Sequence, residues 1–216
     1  MIATFDIRAA LVGAVLSVSA IGSAAAVQAC ETPPPPDLDY IVPNDGGHDR
    51  GRVDRAIAHF TNLARCTAGL GPLVADDSVA EAARIHSDNM AALDEFGHDI
   101  SAPGAEGMRD RLALAQVDYR LAAENIISGF FMQYEAGTPY RTIDAARCAF
   151  ANEAGERMKR HTYLTLAEDL VAGWMASPGH RQNILTEGLR RQGAALAPNA
   201  DGSLCGGFFV TQVFAG

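Results

Sequence analysis

Positive charge is scarce in this chain. Lys and Arg number 17 against 26 Asp and Glu, a net charge of −9 over 216 residues. Such a surface repels a phosphate backbone, and the basic runs are short (Arg157-Met158-Lys159-Arg160 and Arg190-Arg191), so nucleic acid is not an expected partner. Several chemical signatures are absent as well. There is no Cys-x-x-Cys for a zinc ribbon or a redox site and no His-Glu-x-x-His helix of a zinc protease. Nor is there a Gly-x-Ser-x-Gly nucleophile elbow or a glycine loop that cradles phosphate. No internal repeat is visible, which excludes a solenoid. What is present is globular: 48% apolar and 20% charged residues, with mean hydropathy +0.02. A disordered chain is poorer in apolar residues and richer in charge. The length fits one domain with additional segments, and a core of that size holds without disulfides.

Long apolar runs are lacking except at the start, where residues 9–29 carry no charge. This stretch follows Arg8, holds an apolar run over 11–18 and ends in the small residues Ser23-Ala24-Ala25-Ala26 and then Val27-Gln28-Ala29. That is the form of a secretory signal peptide, residues 1–29, cleaved after Ala29. The alternative is an uncleaved N-terminal anchor, since 21 uncharged residues just span a bilayer. Val27-Gln28-Ala29-Cys30 is also similar to the lipobox of bacterial lipoproteins, with Gln28 departing from the usual residue, which makes Cys30 a lipidation candidate. Residues 30–51, with Pro33–Pro36, read as an extended Pro-rich tether. The expected location is secreted or periplasmic, or alternatively a membrane-anchored lipoprotein. Membrane contact is expected only if Cys30 is acylated or the leader stays. In an oxidising compartment Cys30, Cys66, Cys148 and Cys205 are expected to form two disulfides, and all three pairings are open.

The remainder, 52–216, reads as an α+β domain. Val53, Ile57, Phe60 and Ala64 recur at helical spacing up to Gly69. Asp76 or Asp77 caps a second helix with the stripe Val79, Ala83, His86, Met90 and Leu93. A glycine-broken loop over 97–107 leads to a third helix, 109–115, and a fourth runs over 164–175 until Pro178 stops it. Residues 206–214 read as a strand, with 192–197 as its antiparallel partner. Residues 130–165 read as an insertion, inside which 143–158 reads as an Ala-rich helix.

His98 and His180 stand in glycine-containing turns, where a side chain projects into a cleft. His86 lies on the buried stripe and reads as a hydrogen-bonded core histidine. Glu124 precedes an Asn and an apolar pair, so burial is expected to raise its pKa or demand a cation beside it. Two histidines and a carboxylate form a metal set with a position left open for water, although spacings of 26 and 56 residues are no metal signature. Ser177, in Ser177-Pro178-Gly179-His180, ends a helix rather than acting as a nucleophile.

These blocks, in order, resemble a known family. Residues 83–91 (Ala-Arg-Ile-His-Ser-Asp-Asn-Met-Ala), Phe96-Gly97-His98, Asp110-Arg111, Tyr119 and Glu124-Asn125-Ile126 follow the order of the CAP superfamily. So do residues 174–185 (Trp-Met-Ala-Ser-Pro-Gly-His-Arg-Gln-Asn-Ile-Leu) and Thr211-Gln212-Val213-Phe214. The superfamily, also called SCP, holds cysteine-rich secretory proteins, venom allergens and pathogenesis-related proteins, and the chain is most similar to its bacterial secreted branch. The resemblance implies a three-layer α-β-α sandwich with a central antiparallel sheet. It also implies a cleft in which His98 and His180 hold zinc or another divalent metal, with Glu124, Ser177 and Arg181 around them. Ala123 stands where the family has Gly before Glu-Asn, and Phe209-Val210 where it often has Tyr-Trp. The family's second glutamate falls near Ser177 and is missing, so Glu168 or Asp169 would have to turn inward to replace it. The insertion would cover the cleft.

The implied function is a non-enzymatic binding module for a metal and a small-molecule, lipid or cell-envelope ligand. A metal-assisted envelope hydrolase with Glu124 as general base is an alternative, and a structural or adhesive domain with a vestigial cleft is another.

Overall fold

Asp49 starts the first helix: its carboxylate accepts the Arg52 N–H at 3.0 Å, and α1 (Arg50–Thr67) then buries Val53, Ala56 and Ile57. The structure, a computed structural model, describes Cys30, residues 32–199 and residues 203–216; the leader and its cleavage position lie outside the described residues. After the two-residue strand β1 (Val74–Ala75), Asp76 caps α2 (Asp77–Leu93) by accepting from the N–H groups of Ser78 and Val79. Then follow α3 (Met108–Leu114), β2 (Ala122–Phe130), β3 (Tyr140–Asp144) and β4 (Ala149–Asn152). Thr162 caps α4 (Tyr163–Ala176), Pro178 opens α5 (Pro178–Ile184), and β5 (Arg191–Asn199) and β6 (Gly207–Ala215) close the chain.

The main sheet has the order β1-β5-β6-β2, antiparallel except for the short β1–β5 pair. Side chains alternate across its faces. Ala194, Leu196, Phe208, Val210 and Phe214 face α1 and α4, whereas Ala195, Val213 and Ala215 face α2 and α3. Helices on both faces of this sheet make the expected α-β-α sandwich, and every residue of the central strand β6 is buried.

The two outer strands expose backbone groups that side chains cover. Because β1 is only two residues long, β5 lacks a partner beyond Gln192, and Asp54 of α1 accepts the Ala194 N–H at 2.7 Å. Burial pushes the Asp54 carboxyl up to about 6, with the charge of Asp77 adding to it against the Ala194 hydrogen bond. A raised carboxyl favours the folded state when protonated, so this group costs stability above pH 6 and the cost fades toward pH 4. Asp54→Asn keeps the acceptor and removes the charge. It is expected to stabilise the fold by about 1–3 kcal/mol at pH 7.5 and by little at pH 4, read from urea unfolding at both pH values.

Four expectations are corrected. Residues 30–51 are not a tether: Leu38 and Val42, each 1% exposed, sit in the core with α1 and α4. The carbonyls of Leu38 and Tyr40 accept the N–H groups of Leu164 and Tyr163, two donors that the first turn of α4 cannot satisfy itself. Cys30 forms a disulfide with Cys66 of α1, so its sulfur is committed and the lipidation candidate is not a free thiol. The second bridge joins Cys148 to Cys205.

Residues 143–158 form no α-helix, only one 3-10 turn over Ala145–Arg147 capped by Asp144. Tyr140 packs edge-on against Phe150 across the β3–β4 hairpin, and the disulfide at Cys148 holds the turn, so pairing overrides alanine's helix preference. The hairpin builds its own small core from Met132, Phe150 and Leu204 beyond the Phe130 end of β2. The insertion is therefore based at the end of β2 away from Glu124, roughly 20 Å along the strand from it, rather than over that residue.

Candidate functional site

Glu124 lies near the start of β2, 6% exposed, with its side chain on the α2 face. A carboxylate there needs cationic partners, and three elements supply them. Arg111 of α3, 1% exposed, brings one terminal nitrogen to both carboxylate oxygens, at 2.9 and 3.1 Å. Its other terminal nitrogen donates to the carbonyls of Ala105 and Glu106 and the nitrogen on Glu124 also meets the His98 carbonyl, so the same guanidinium shapes the loop over 94–107, while its Nε is buried without a partner among the described residues. From that loop the His98 Nδ1 meets Glu124 Oε1 at 2.9 Å. His86 of α2 is wholly buried, with its Nε2 3.6 Å from the same oxygen.

The charges follow from these contacts. Burial raises the Glu124 carboxyl, but the His98 hydrogen bond and the Arg111 guanidinium outweigh it and hold the group below the usual glutamate range. The Glu124 hydrogen bond raises the His98 imidazole. Burial lowers His86 to about 4, so that ring is neutral at pH 7. It lies beside the Gly97 backbone and the Glu124 carboxylate, yet neither ring nitrogen completes a well-formed hydrogen bond. The hydrogen-bonded core histidine expected from sequence is therefore buried as foreseen but poorly bonded.

His180 enters from α5. Asn125 donates to its carbonyl at 3.3 Å, while Asn183 donates to the Glu124 carbonyl at 3.0 Å and to Asn125 Oδ1 at 2.9 Å. These amides fix α5 beside β2. The His180 imidazole is half-buried and its pKa is lowered, first by burial and then by the charge of His98.

The structure thus gathers His98 and Glu124, adds Arg111 and His86, and sets His180 alongside. Ser177 serves the α4–α5 junction through its backbone, donating to the Trp174 carbonyl and accepting from Arg181. The Arg181 side chain is exposed and forms no ion pair among the described residues, so it does not reach Glu124. Glu168 and Asp169 are also exposed. Asp169 faces His161 at 3.8 Å, so neither acid turns inward to replace the missing second glutamate. Arg111 was quoted in the sequence only as part of a motif. Its one legible signal was an arginine following a glycine-rich loop in a chain that also buries a glutamate.

Donor chemistry decides how a divalent metal fits. Both Glu124 oxygens are engaged, so the three-ligand set does not form, and among the described residues no group of three His, Cys, Asp or Glu is placed to hold an ion. What remains open is Nε2 of His98, whose side chain is 54% exposed, together with the His180 imidazole. Two imidazoles, with a carboxylate bonded behind the first, fit a metal that keeps its other positions for water or ligand.

Comparison with known proteins agrees with this architecture. The model of the CAP family, described as the cysteine-rich secretory protein family, matches residues 58–214. The chain is 26% identical over 163 residues to the uncharacterized protein YkwD of Bacillus subtilis strain 168, covering 76% of this chain and 47% of YkwD. It is 26% identical over 143 residues to the uncharacterized membrane protein YlbC of the same strain, covering 66% of this chain and 31% of YlbC. The chain therefore spans less than half the length of either curated relative. An extracellular protein containing an SCP domain from Bacillus anthracis strain Ames has a similar fold, with TM-score 0.53 at 24% identity over 82% of this chain and 44% of that one. A family match running from α1 to the last strand, on an α-β-α sandwich, shows that the chain belongs to the CAP family.

Proposed function

We propose that the domain works outside the cytoplasm as a binding module whose cleft holds a divalent cation, zinc first, on His98 and His180. In this reading the cation in turn takes a small-molecule, lipid or cell-envelope ligand. The observation that carries the reading is the His98 Nδ1–Glu124 hydrogen bond, backed by Arg111, which orients the ring and leaves the Nε2 lone pair open to solvent or a metal. A hydrogen-bonded carboxylate behind a histidine raises its basicity and fixes its tautomer, as at many metal-binding histidines. A bound cation would supply Lewis acidity and open coordination positions. The secretory leader pattern and two disulfides support an extracytoplasmic site of action, as does similarity to an extracellular SCP protein.

The hydrolase alternative asks Glu124 to act as general base. Its carboxyl is held below the usual range with both oxygens occupied, which makes it a poor base at neutral pH. Binding without turnover is the reading that this electrostatics favours. Calorimetric titration of the metal-free protein with zinc at pH 7.5 tests it. One site is expected, lost in His98→Ala and in His180→Ala, and zinc uptake indifferent to both substitutions would remove the proposal.

A further inference from the structure

A second cleft lies on the free edge of β2. In an antiparallel strand the N–H and C=O of alternate residues point to the same side. The outward carbonyls of Glu124 and Ile126 are taken by the Asn183 amide and the Trp174 indole at 3.0 and 3.3 Å. The next outward-pointing residue is Ser128. It is exposed, and among the described residues it makes no hydrogen bond outside the β2–β6 ladder. One residue pair further on the edge closes again, because the Phe131 carbonyl accepts the His161 N–H and Met132 bridges to Arg160. Residues 128–130 are thus a short stretch of strand, with the outward backbone groups of Ser128 and Phe130 unpaired among the described residues, between two covered ones.

A cavity of about 360 Å³ opens at this gap. Phe130, Leu166 and Leu170 give it apolar walls, Ala136 stands at an exposed position on its rim, and His161 and Asp169 are its ionisable groups. Burial lowers the His161 imidazole, so the ring is uncharged at neutral pH and leaves the Asp169 charge uncancelled. Asp169 is 66% exposed at its side chain, and His161 is its only ion-pair neighbour among the described residues. The gap therefore offers the outward backbone N–H and C=O groups of Ser128 and Phe130, an apolar hole and a free negative charge.

We propose that this cleft binds an extended peptide that adds to β2 at Ser128, with a bulky apolar side chain in the cavity and a lysine, arginine or free amino terminus against Asp169. Strand addition of this kind takes affinity from the main chain and specificity from side-chain pockets. Charge complementarity selects the basic flank, since the protein is acidic overall and, among the described residues, no Lys or Arg pairs with Asp169. The site shares no residue with the His98–Glu124 pair, and Ser128 lies about 13 Å along the strand from Glu124.

The test uses the purified, oxidised protein and a capped, fluorescein-labelled peptide of sequence Lys-Thr-Phe-Thr-Lys, read by anisotropy with and without zinc. Saturable binding is expected, unchanged by zinc and at least tenfold weaker when Phe is replaced by Ala or both Lys by Glu. Ser128→Pro removes the outward N–H while costing no ladder bond, and is expected to weaken binding at least tenfold while Ser128→Ala does not. Ala136→Trp, at an exposed position, fills the cavity mouth and is expected to do the same, which covers the case of a Ser128→Pro chain that fails to fold. Asp169→Asn is expected to weaken binding severalfold and flatten its salt dependence. The absence of saturable binding up to ~1 mM peptide overturns the proposal. So does equal binding by Ser128→Pro and Ala136→Trp, or dodecylammonium competing for the cavity with no effect of Ser128→Pro, which would mark a site for amphiphiles.

Discussion

Gly193→Ala is expected to cost at least about 3 kcal/mol, the upper end of what overpacking does to a folded core. A Cβ on Gly193 of β5 would stand 2.1 Å from the Ala80 nitrogen, 2.5 Å from its Cα and 2.6 Å from the Val79 carbonyl carbon. These are backbone atoms of the first turn of α2 and cannot rotate aside, so the whole helix must lift from the sheet. The displaced helix carries His86 and leads into the loop that holds His98, so zinc uptake should weaken with stability. Urea unfolding of the two proteins measures the difference. A loss under about 1 kcal/mol would mean that α2 sits further from β5 than described.

Arg111→Met should cost about 3–5 kcal/mol at pH 7.5, because it leaves the Glu124 carboxylate buried without its cation and frees the carbonyls of residues 98, 105 and 106. The pH dependence separates charge from packing. In the native protein the Glu124 carboxyl lies below its ordinary value near 4.5, so its contribution is present above that value and is lost as pH falls through the folded-state pKa. Without Arg111 two of the contacts that lower the carboxyl are gone, and burial then raises it relative to the native protein. The folded variant then takes up a proton, and the deficit should shrink as pH falls from 7.5 toward 5. Adding Glu124→Gln to Arg111→Met should recover part of the stability at pH 7.5, since no buried charge remains. A deficit constant with pH and unrelieved by Glu124→Gln would mean that Arg111 acts by filling space alone.

What could be read from the sequence follows the strength of local signals. Helices α1, α2 and α4 announce themselves because their buried residues recur at helical spacing and caps such as Asp76 precede them. β6 is equally plain, with Phe208, Phe209, Val210, Val213 and Phe214 in one run. β2 gave no such signal. Its Glu124, Asn125 and Gly129 are poor strand formers, and they are tolerated because Arg111, Asn183 and the Phe208 ring beneath Gly129 supply what each needs. The proline run concealed Leu38 and Val42, whose role depends on α4 folding beside them.

The site divides the same way. His98 and His180 stand out through their glycine-containing turns, Glu124 through its apolar neighbours, and all three through motif order. That Arg111 should hold Glu124 away from a metal and toward His98 depends on four elements meeting in space, and no spacing along the chain encodes it.

The central claim is that His98 and His180 bind the cation while Glu124 acts from behind His98. The most direct test is the zinc affinity of Glu124→Gln set beside that of His180→Ala, by calorimetry at pH 7.5. Loss of a partner behind a ligand typically weakens metal binding by about 10–100-fold. Glu124→Gln is thus expected to keep one site at that reduced affinity, while His180→Ala abolishes it. A Glu124→Gln protein that takes up no zinc at all, or a His180→Ala protein that binds it as tightly as the native chain, would contradict the account.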